Sequence, residues 1–465
     1  METDLKNANP LGTERIGKLM LRYAVPSIIS FVVNSLYNMV DQIFIGQGVG
    51  YLGNAATNVI LPITMIFLAL GLMVGDGAAA LMSLSLGRGN KKEASCGVGN
   101  MVILIVGIGI VISAMFEMFL QPVCMLFGAS GNTMSYALDY GRIIVAGAPF
   151  AMISAGFGSV LRADGRPQVS MVGLVVGCVT NIVLDPVFIF VCKMGVQGAA
   201  LATILGQVLN AVFYIVSLMR CRTIMLEKDN FIPKTRVMKS ILTLGISSFA
   251  TQIASVLVMA VNNNLLVQYG AASRYGADIP LATFGITMKV SQLILGITLG
   301  IATSVQPIYG YNYGSGQYDR VKKTYKIALG ASFLIMLVAL FVFQVFPEPI
   351  INLFGRESEL YIEFGVKSFR IYLLACVMIP MVTVTAILFQ AIGKSGTAAF
   401  ISMSRQVIIL IPAMVVFAYI FGVEGLLWAG PFADAFSAVI TMVIVLFSWK
   451  KIFYADTKIK GGNAE

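Results

Sequence analysis

Two aspartates stand out because they lie inside long apolar stretches of the chain. Asp41 and Asp185 are far apart in sequence, yet each is predicted to lie roughly 10 Å below the same surface of a membrane, at about 1.5 Å per helical residue. A carboxylate at the centre of a bilayer helix costs about 2.5–3.5 kcal/mol on insertion scales. We therefore expect both side chains to have a function.

Polar side chains recur at helical spacing around both aspartates, so each aspartate is predicted to lie on a polar stripe of its helix. Carboxylate, amide and hydroxyl oxygens suit a proton or a hard cation such as Na⁺ and do not suit a metal that prefers thiolates. The alternative is that the two aspartates only satisfy buried backbone or amide groups. The candidate cation-binding residues are Asp41, Asn181, Asp185 and Thr203, and the candidate lining residues beside them are Asn34, Tyr37, Asn38 and Gln207.

Other residues inside apolar stretches are weaker candidates. Asp76 lies between two glycines and is a candidate for facing an inner cavity, and Lys289 and Arg405 are candidates for contacting a substrate or pairing with carboxylates. Pro26 opens the stretch that carries Asp41 and is a candidate hinge, because proline frees a backbone acceptor inside a helix. Pro186, directly after Asp185, is expected to break its helix.

The composition predicts an integral membrane protein, with 58% hydrophobic residues, 12% charged residues and a mean hydropathy of +0.86. Apolar stretches of about 20 residues or more recur along the chain, and each is long enough to cross a bilayer as a helix. The fold class is therefore an all-α membrane protein with twelve transmembrane helices. We number the predicted spans 1 to 12, near residues 24–46, 57–86, 99–120, 137–161, 169–191, 198–219, 241–268, 281–309, 327–346, 367–391, 397–420 and 426–449.

The chain carries an internal repeat. Residues 121–128 (QPVCMLFG) return as 348–355 (EPIINLFG), and residues 195–198 (GVQG) return as 422–425 (GVEG) at the same offset. Such a repeat is typical of a transporter with two lobes of six spans each. The predicted lobes are residues 1–228 and 229–465.

The repeat does not duplicate the ion-binding side chains. We therefore expect the cation site to belong to the first lobe alone and the second lobe to lack these charges. The residues aligned with Asp41, Asp185 and Thr203 are Asn262, Pro412 and Gly430.

Charge and missing residue types exclude several classes of protein. Most of the 32 lysines and arginines fall on the side predicted to hold both termini, so both ends are expected to be cytoplasmic and the protein to lie in the cytoplasmic membrane. The net charge of +10 is explained by this topology, and no nucleic-acid partner is expected. The chain has no histidine, no C-x-x-C pair and no Walker A sequence, so we expect neither an enzyme nor a cofactor.

The chain resembles the multidrug and toxic compound extrusion (MATE) family along nearly its whole length. The resemblance rests on Pro26 and Asp41, on residues 86–89 (LGRG) after span 2, and on residues 161–165 (LRADG) after span 4, whose partner in the repeat is 389–393 (FQAIG). Asp41, Asn181, Asp185 and Thr203 meet the pattern of the DinF-like branch, which includes MepA-like pumps. The NorM-like branch uses carboxylates in spans 7 and 10, and span 7 has none here.

The resemblance implies a V-shaped pair of lobes that exports bulky, often cationic or aromatic drugs by alternating access, in exchange for H⁺ or Na⁺. Bending of span 1 at Pro26 upon protonation of Asp41 is a possibility for this branch. Partners are expected to be small-molecule drugs and membrane lipid, and a monomer is expected because one chain carries both lobes. A flippase for a lipid-linked oligosaccharide or lipid precursor of the same superfamily is the alternative, but it should present several cations to a central cavity, and only Lys289 and Arg405 are evident.

Overall fold

The computed structural model describes residues 9–129, 131–276, 278–353 and 358–453, and within these ranges the regular structure is entirely helical. They contain eleven helices long and apolar enough to cross a membrane, or twelve if one bent pair of helices counts as one span. The predicted number and order of the spans are therefore confirmed. The basic residues beyond 453 and positions 354 and 355 of the repeated motif lie outside the described residues.

Spans 1 to 4 are longer than predicted by about one or two turns at one or both ends, and spans 5 and 6 agree with the predicted bounds to within three residues. Span 4 is a pair of helices bent by 54° around Gly147, and span 5 continues beyond its α-helix as a π-helical turn, Val187–Val191. The α-helices are Ile16–Gly48 (span 1), Tyr51–Gly87 (span 2), Lys91–Leu126 (span 3), Gly131–Ala146 and Ala148–Ala163 (span 4), Pro167–Pro186 (span 5) and Gly195–Leu218 (span 6).

The second six spans repeat this order, with two irregular helices. Span 10 passes through a π-helical turn at Ser368–Tyr372, and span 11 through one at Ser404–Leu410. The spans are Thr235–Ala271 (span 7), Asp278–Gly314 (span 8), Tyr318–Val345 (span 9), Glu359–Ala391 (span 10), Ser395–Phe421 (span 11) and Val423–Phe453 (span 12), and short helices precede span 1 (Pro10–Thr13), span 7 (Lys228–Phe231) and span 10 (Pro347–Asn352).

Pro26 and Pro186 do not interrupt the spans that contain them. Span 1 is one helix through Pro26, whose carbonyl accepts a hydrogen bond of 2.9 Å from the hydroxyl of Ser30. The expectation that Pro186 breaks span 5 is wrong, because the chain changes there from α-helix to a π-helical turn and continues to Val191. The wider turn accommodates the proline, which lacks a backbone N–H.

In the described residues, buried apolar side chains form three cores. One fills the first lobe and includes Phe67 and Phe157. The second lobe has two, one around Tyr309 and one around Phe364 and Phe369. We call the face of the bundle that holds residues 9 and 453 the terminal face, and the opposite one the distal face; the Tyr309 core lies toward the terminal face.

Span 1 packs against both lobes. Its first turns, with the buried Leu19, belong to the Tyr309 core of the second lobe, and so does the buried Leu11 of the short helix before span 1. The carbonyl of Leu11 also accepts hydrogen bonds from Asn312 Nδ2 at 2.9 Å and Arg320 Nη2 at 3.2 Å. Ile45, near the distal end of the same helix, is buried in the core of the first lobe. Span 1 therefore connects the lobes mechanically.

Glycines bring the lobes together in the halves of the spans nearest the terminal face. A Cβ atom on Gly77 of span 2 would overlap the backbone oxygen of Ile241 in span 7, and one on Gly245 would overlap that of Met73. Such close backbone packing needs residues without a side chain. The lobes are therefore in contact on the terminal side of this structure.

The link between the lobes is held by the first lobe. The carboxylate of Asp164, in the LRADG motif, accepts hydrogen bonds from the backbone N–H groups of Arg222 at 3.0 Å and Thr223 at 2.9 Å. Further along, Asn100 Oδ1 accepts from the backbone N–H of Lys234 at 2.7 Å. These bonds fix the link up to the first turn of span 7.

Candidate functional site

Spans 1, 5 and 6 bring the four predicted cation-binding residues together. Asp185 is fully buried in span 5, one turn from the buried Asn181. Thr203 faces them from span 6, and Asp41 reaches them from span 1, where it is half-buried. The structure thus gathers these residues into one cluster inside the first lobe, which we call the carboxylate cluster.

Asn181 connects the members of this cluster. We assign the orientation of its amide from its hydrogen-bonding partners. Its Nδ2 then donates to Asp185 Oδ2 at 3.0 Å, and its Oδ1 accepts from the hydroxyl and the backbone N–H of Thr203 at 3.2 and 3.1 Å. One amide therefore fixes the carboxylate on span 5 relative to the start of span 6.

The carboxyl groups of Asp41 and Asp185 lie close enough for their charges to influence each other. Among the described residues, no basic side chain acts on either carboxyl group. Asp41 Oδ1 is buried and has no hydrogen-bond partner in the protein. A buried oxygen without a partner costs free energy, commonly about 1–3 kcal/mol. One of the two acids in the cluster therefore carries a free hydrogen-bond acceptor.

Two glycines set the distance between spans 5 and 6. A Cβ atom on Gly206 would lie 2.6 Å from the carbonyl oxygen of Gly177, and one on Gly177 would lie 3.0 Å from that of Gly206. Real Cβ atoms essentially never approach another atom as closely as the first distance. These glycines allow Asn181 to reach Thr203 across the helix pair.

We expect Gly206→Val to separate spans 5 and 6 and to lower the thermal stability of the purified protein. Overpacking a close contact typically costs about 1–3 kcal/mol. Gly107→Val is the matched control, because a Cβ atom on Gly107 of span 3 meets nothing within 4 Å. Thermal unfolding in detergent measures both, and equal melting temperatures would contradict the role given to the glycine contact.

The distal end of span 1 is held against span 5 by aromatic packing. The rings of Phe44 and Phe190 meet edge to face with centroids 6.3 Å apart. Gly48 lies directly against Ile189, another residue of the π-helical turn after Pro186. This contact begins one turn beyond Asp41. It therefore fixes the position of that carboxyl group along span 1 relative to Asp185 on span 5.

Two tyrosines lie next to the carboxylate cluster. Tyr37, predicted from its place on span 1, interacts with both carboxyl groups. Tyr140 on the first helix of span 4 also interacts with both, and its hydroxyl is directed at Thr203. Sequence reasoning missed Tyr140, because it stands alone among apolar residues and no polar stripe marks it.

Several predicted lining residues lie apart from the acids. Asn34 and Asn38 are exposed on span 1, and Asn38 Nδ2 donates to the carbonyl of Asn34 at 2.7 Å. Gln207 is half-buried on span 6, and Lys289 is exposed on span 8. These residues take no part in the hydrogen bonds described for the cluster.

Asp76 connects the two lobes. Its two carboxylate oxygens accept from Ser159 in span 4 at 2.6 Å and from Ser248 in span 7 at 2.7 Å. Ser248 also accepts from Gln390 Nε2 at 2.9 Å, and Arg162 Nη2 donates to Ser159 at 2.8 Å. Arg162 and Gln390 are the aligned positions of the LRADG and FQAIG motifs, so both copies of the repeated motif meet at this aspartate.

The second lobe contains a buried ion pair in which Arg405 pairs with a carboxylate, one of the two roles predicted for it. Arg405 Nε donates to Asp434 Oδ1 at 2.7 Å, with the carboxylate only 4% exposed and the guanidinium side chain 21% exposed. Arg405 lies on the π-helical turn of span 11 and Asp434 on span 12. The repeat alignment missed Asp434 because the position aligned with it in the first lobe carries no charge.

Two solved structures resemble this one over almost the whole chain. One is described as MATE in complex with MaL6, with a TM-score of 0.89 and 23% identity, covering 95% of this chain and 98% of that one. Another is the outward-facing conformation of a multidrug resistance MATE family transporter of the MOP superfamily, with a TM-score of 0.87 and 24% identity, covering 95% and 99%. The predicted fold is therefore confirmed.

Curated relatives match over a similar length. The multidrug export protein MepA of Staphylococcus haemolyticus (strain JCSC1435) is 26% identical over 445 residues, which cover 92% of this chain and 93% of that protein. MepA of Staphylococcus aureus (strain MSSA476) is 25% identical over 431 residues, with the same coverage. These relatives agree with the resemblance to MepA-like proteins noted in the sequence.

The family model named MatE matches this chain twice, at residues 26–187 and 253–416, once in each lobe. The first match begins at Pro26 and contains Asp41 and Asp185. With both halves matched and the fold in agreement, the chain belongs to the MatE family of multi-pass membrane proteins.

Proposed function

We propose that this protein exports bulky organic compounds, often cationic or aromatic, from the cytoplasm in exchange for H⁺ or Na⁺. The observation that carries the proposal is that Asp41 and Asp185 lie beside each other in the carboxylate cluster, with no basic side chain acting on either within the described residues. Two adjacent carboxylates inside a protein repel each other, so one of them tends to bind a proton or share a cation. The carboxylate cluster is therefore suited to exchange an ion.

The donor set accommodates either ion. Asp41 and Asp185 supply carboxylate oxygens, while Asn181 and Thr203 supply an amide and a hydroxyl, which are oxygen ligands that hard cations accept. A proton needs only the pair of carboxyl groups. No group of three or more Asp, Glu, Cys or His that could hold a metal ion occurs within the described ranges, so Na⁺ is the metal ion that fits best.

Ion binding is proposed to act through the arrangement of the lobes. In the present structure the lobes touch on the terminal side through Gly77 and Gly245 and through Asp76. A ligand shifts such an equilibrium only if it binds one arrangement more tightly than the other. We propose that the ion and the drug favour opposite arrangements, which couples their movements without direct contact.

A membrane potential supplies enough energy for this exchange. When one ion is exchanged for a neutral drug, one elementary charge moves down the potential and releases about 2.3 kcal/mol at 100 mV, which sustains a drug gradient of roughly fiftyfold at about 1.4 kcal/mol per tenfold. A monovalent cationic drug exchanged for one ion is driven by the concentration gradient of that ion. The relatives named as multidrug export proteins support drugs as the substrates. The proposed setting is the cytoplasmic membrane with both termini in the cytoplasm, and the proposed working unit is a monomer.

The flippase alternative loses one of its two supporting residues. Arg405 is paired with Asp434, so its charge is largely neutralised. A carrier of anionic lipid headgroups needs several cations facing its cavity, and of the two residues noted from the sequence only Lys289 remains an exposed cation. Drug export therefore fits the charge distribution better.

Dye efflux from proteoliposomes tests the proposed function. We expect ethidium to move against its gradient when a pH gradient or a sodium gradient is imposed, and transport to stop when an ionophore dissipates that gradient. Imposing each gradient separately identifies the coupling ion. Transport that continues at an unchanged rate without any ion gradient would contradict the antiport proposal.

A further inference from the structure

We propose that an anionic phospholipid binds in a groove between spans 9 and 12 on the terminal face of the second lobe. The groove has a volume of about 380 Å³ and is lined by Tyr325, Lys326, Val445, Leu446 and Trp449. It is separate from the carboxylate cluster and borders the Tyr309 core, to which Tyr325 belongs. We call it the lysine groove.

The depth of the lysine groove matches the boundary between lipid headgroups and acyl chains. Tyr325 lies seven residues into span 9, which is about 10 Å along the helix from its terminal end. Trp449 ends the apolar segment of span 12. Tryptophan and tyrosine are enriched at this level of the membrane because their rings are partly apolar and partly polar.

The walls of the groove are fixed within the protein. The hydroxyl of Tyr325 shares a hydrogen bond of 2.8 Å with Thr385 of span 10, which holds its ring at the floor of the groove. The ring of Trp449 packs beside it, with centroids 5.9 Å apart. Val445 and Leu446 extend the apolar surface toward the middle of the membrane, where an acyl chain lies.

The charge beside the groove favours a phosphate. Lys323 and Lys326 are exposed on span 9, and in the described part of the chain neither has an ion-pair partner. The neighbouring Lys322 lies 3.4 Å from Asp319, which is 99% exposed. A free ammonium group at headgroup depth above an apolar groove is complementary to an anionic lipid, and basic pockets between transmembrane helices bind such headgroups.

Lipid titration followed by native mass spectrometry tests this proposal on the full-length purified protein. We expect phosphatidylglycerol to be retained about fivefold more tightly by the wild type than by Lys326→Gln, which corresponds to the contribution of about 1 kcal/mol that one lysine near the surface makes to anionic lipid binding. Val445→Trp keeps the charge and fills the groove, so it should also weaken binding. Phosphatidylcholine should bind more weakly than phosphatidylglycerol.

Lys92→Gln is the matched control, because Lys92 is an exposed lysine at the start of span 3 in the other lobe, on the same face. It should retain phosphatidylglycerol as the wild type does. Equal losses in Lys92→Gln and Lys326→Gln, wild-type retention in Val445→Trp, or displacement of the lipid by inorganic phosphate would each overturn the proposal. The measurement needs no transport, so its outcome is independent of the proposed export function.

Discussion

Asp41→Asn and Asp185→Asn are each expected to abolish uphill drug export while leaving the amount of protein in the membrane unchanged. Each variant removes one of the two carboxyl groups that lie beside each other, so the pair no longer has to take up a proton or a cation. Export driven by ion exchange should therefore be lost, and for a neutral drug at 100 mV the sustained gradient should fall from roughly fiftyfold to none. Ethidium accumulation in cells and in proteoliposomes measures the loss.

Stability separates an ion-exchange role from a structural one. Asparagine keeps the shape of aspartate and removes the repulsion between the two acids, so neither variant should melt at a lower temperature than the wild type. If the aspartates only satisfied buried groups, both variants should lose stability. The double variant should transport no worse than either single variant, because residues that act as a unit give non-additive effects.

Glu117→Gln is the matched control for these substitutions. Glu117 in span 3 is 50% exposed and lies 3.8 Å from Arg142, where an ion pair contributes little. Removing this carboxylate should leave export unchanged. Wild-type export by both aspartate variants would exclude the carboxylate cluster as the ion-binding site.

Much of the fold follows from the sequence because the membrane imposes simple rules. A chain that crosses the bilayer must satisfy its backbone groups internally, which a helix does. The length of each apolar stretch therefore predicts each span, beginning with Ile16–Gly48. The cluster of Asp41 and Asp185 is also predictable, because an acid in a membrane helix is costly and polar neighbours at helical spacing show its direction. Asn181 and Thr203 join it in the structure as expected from that pattern.

Features that depend on tertiary packing were not predictable. Tyr140 reaches the cluster from the first helix of span 4, ahead of the 54° bend. The pairing of Arg405 with Asp434 depends on a π-helical turn that no local sequence signal marks. Span 1 begins in the second lobe, although its sequence belongs to the first repeat. Each of these three features is set by contacts between residues that are distant in sequence. The spacing of polar and apolar residues along one helix does not reveal such contacts.

The double attachment of span 1 suggests how the carboxylate cluster influences the lobes in the proposed cycle. Asp41 lies near the distal end of the helix, beside span 5. The first turns of the same helix pack in the Tyr309 core of the second lobe, directly after the short helix whose Leu11 carbonyl is bonded to Asn312 and Arg320. A change at the acids that moves span 1 must therefore act on both lobes. Pro26 lies between these two attachments, which is where a bend has its largest effect on their relative position.

Gly77→Val and Gly245→Val are expected to prevent the lobes from closing on the terminal face and to abolish transport. In the closed arrangement a side chain at either position overlaps a backbone oxygen of the other lobe, which cannot move out of the way as a flexible side chain can. The arrangement open on the terminal side is free of this overlap, so the variants should favour it. A population shift from 1:99 to 99:1 needs about 5.5 kcal/mol, and backbone overlap in both directions is a large enough penalty to approach it.

Spin labels placed at the exposed residues Lys92 and Lys323, one on each lobe, allow the separation of the lobes on the terminal face to be measured. The distance should increase in Gly77→Val and Gly245→Val and stay unchanged in Gly285→Val, where a Cβ atom on span 8 meets nothing within 4 Å. Drug binding measured in detergent should persist in both variants, since each can still adopt the open arrangement. An unchanged label distance together with normal transport would show that these glycine contacts do not control the closing of the lobes on the terminal face. Closure would then have to depend on Asp76 and its serine partners.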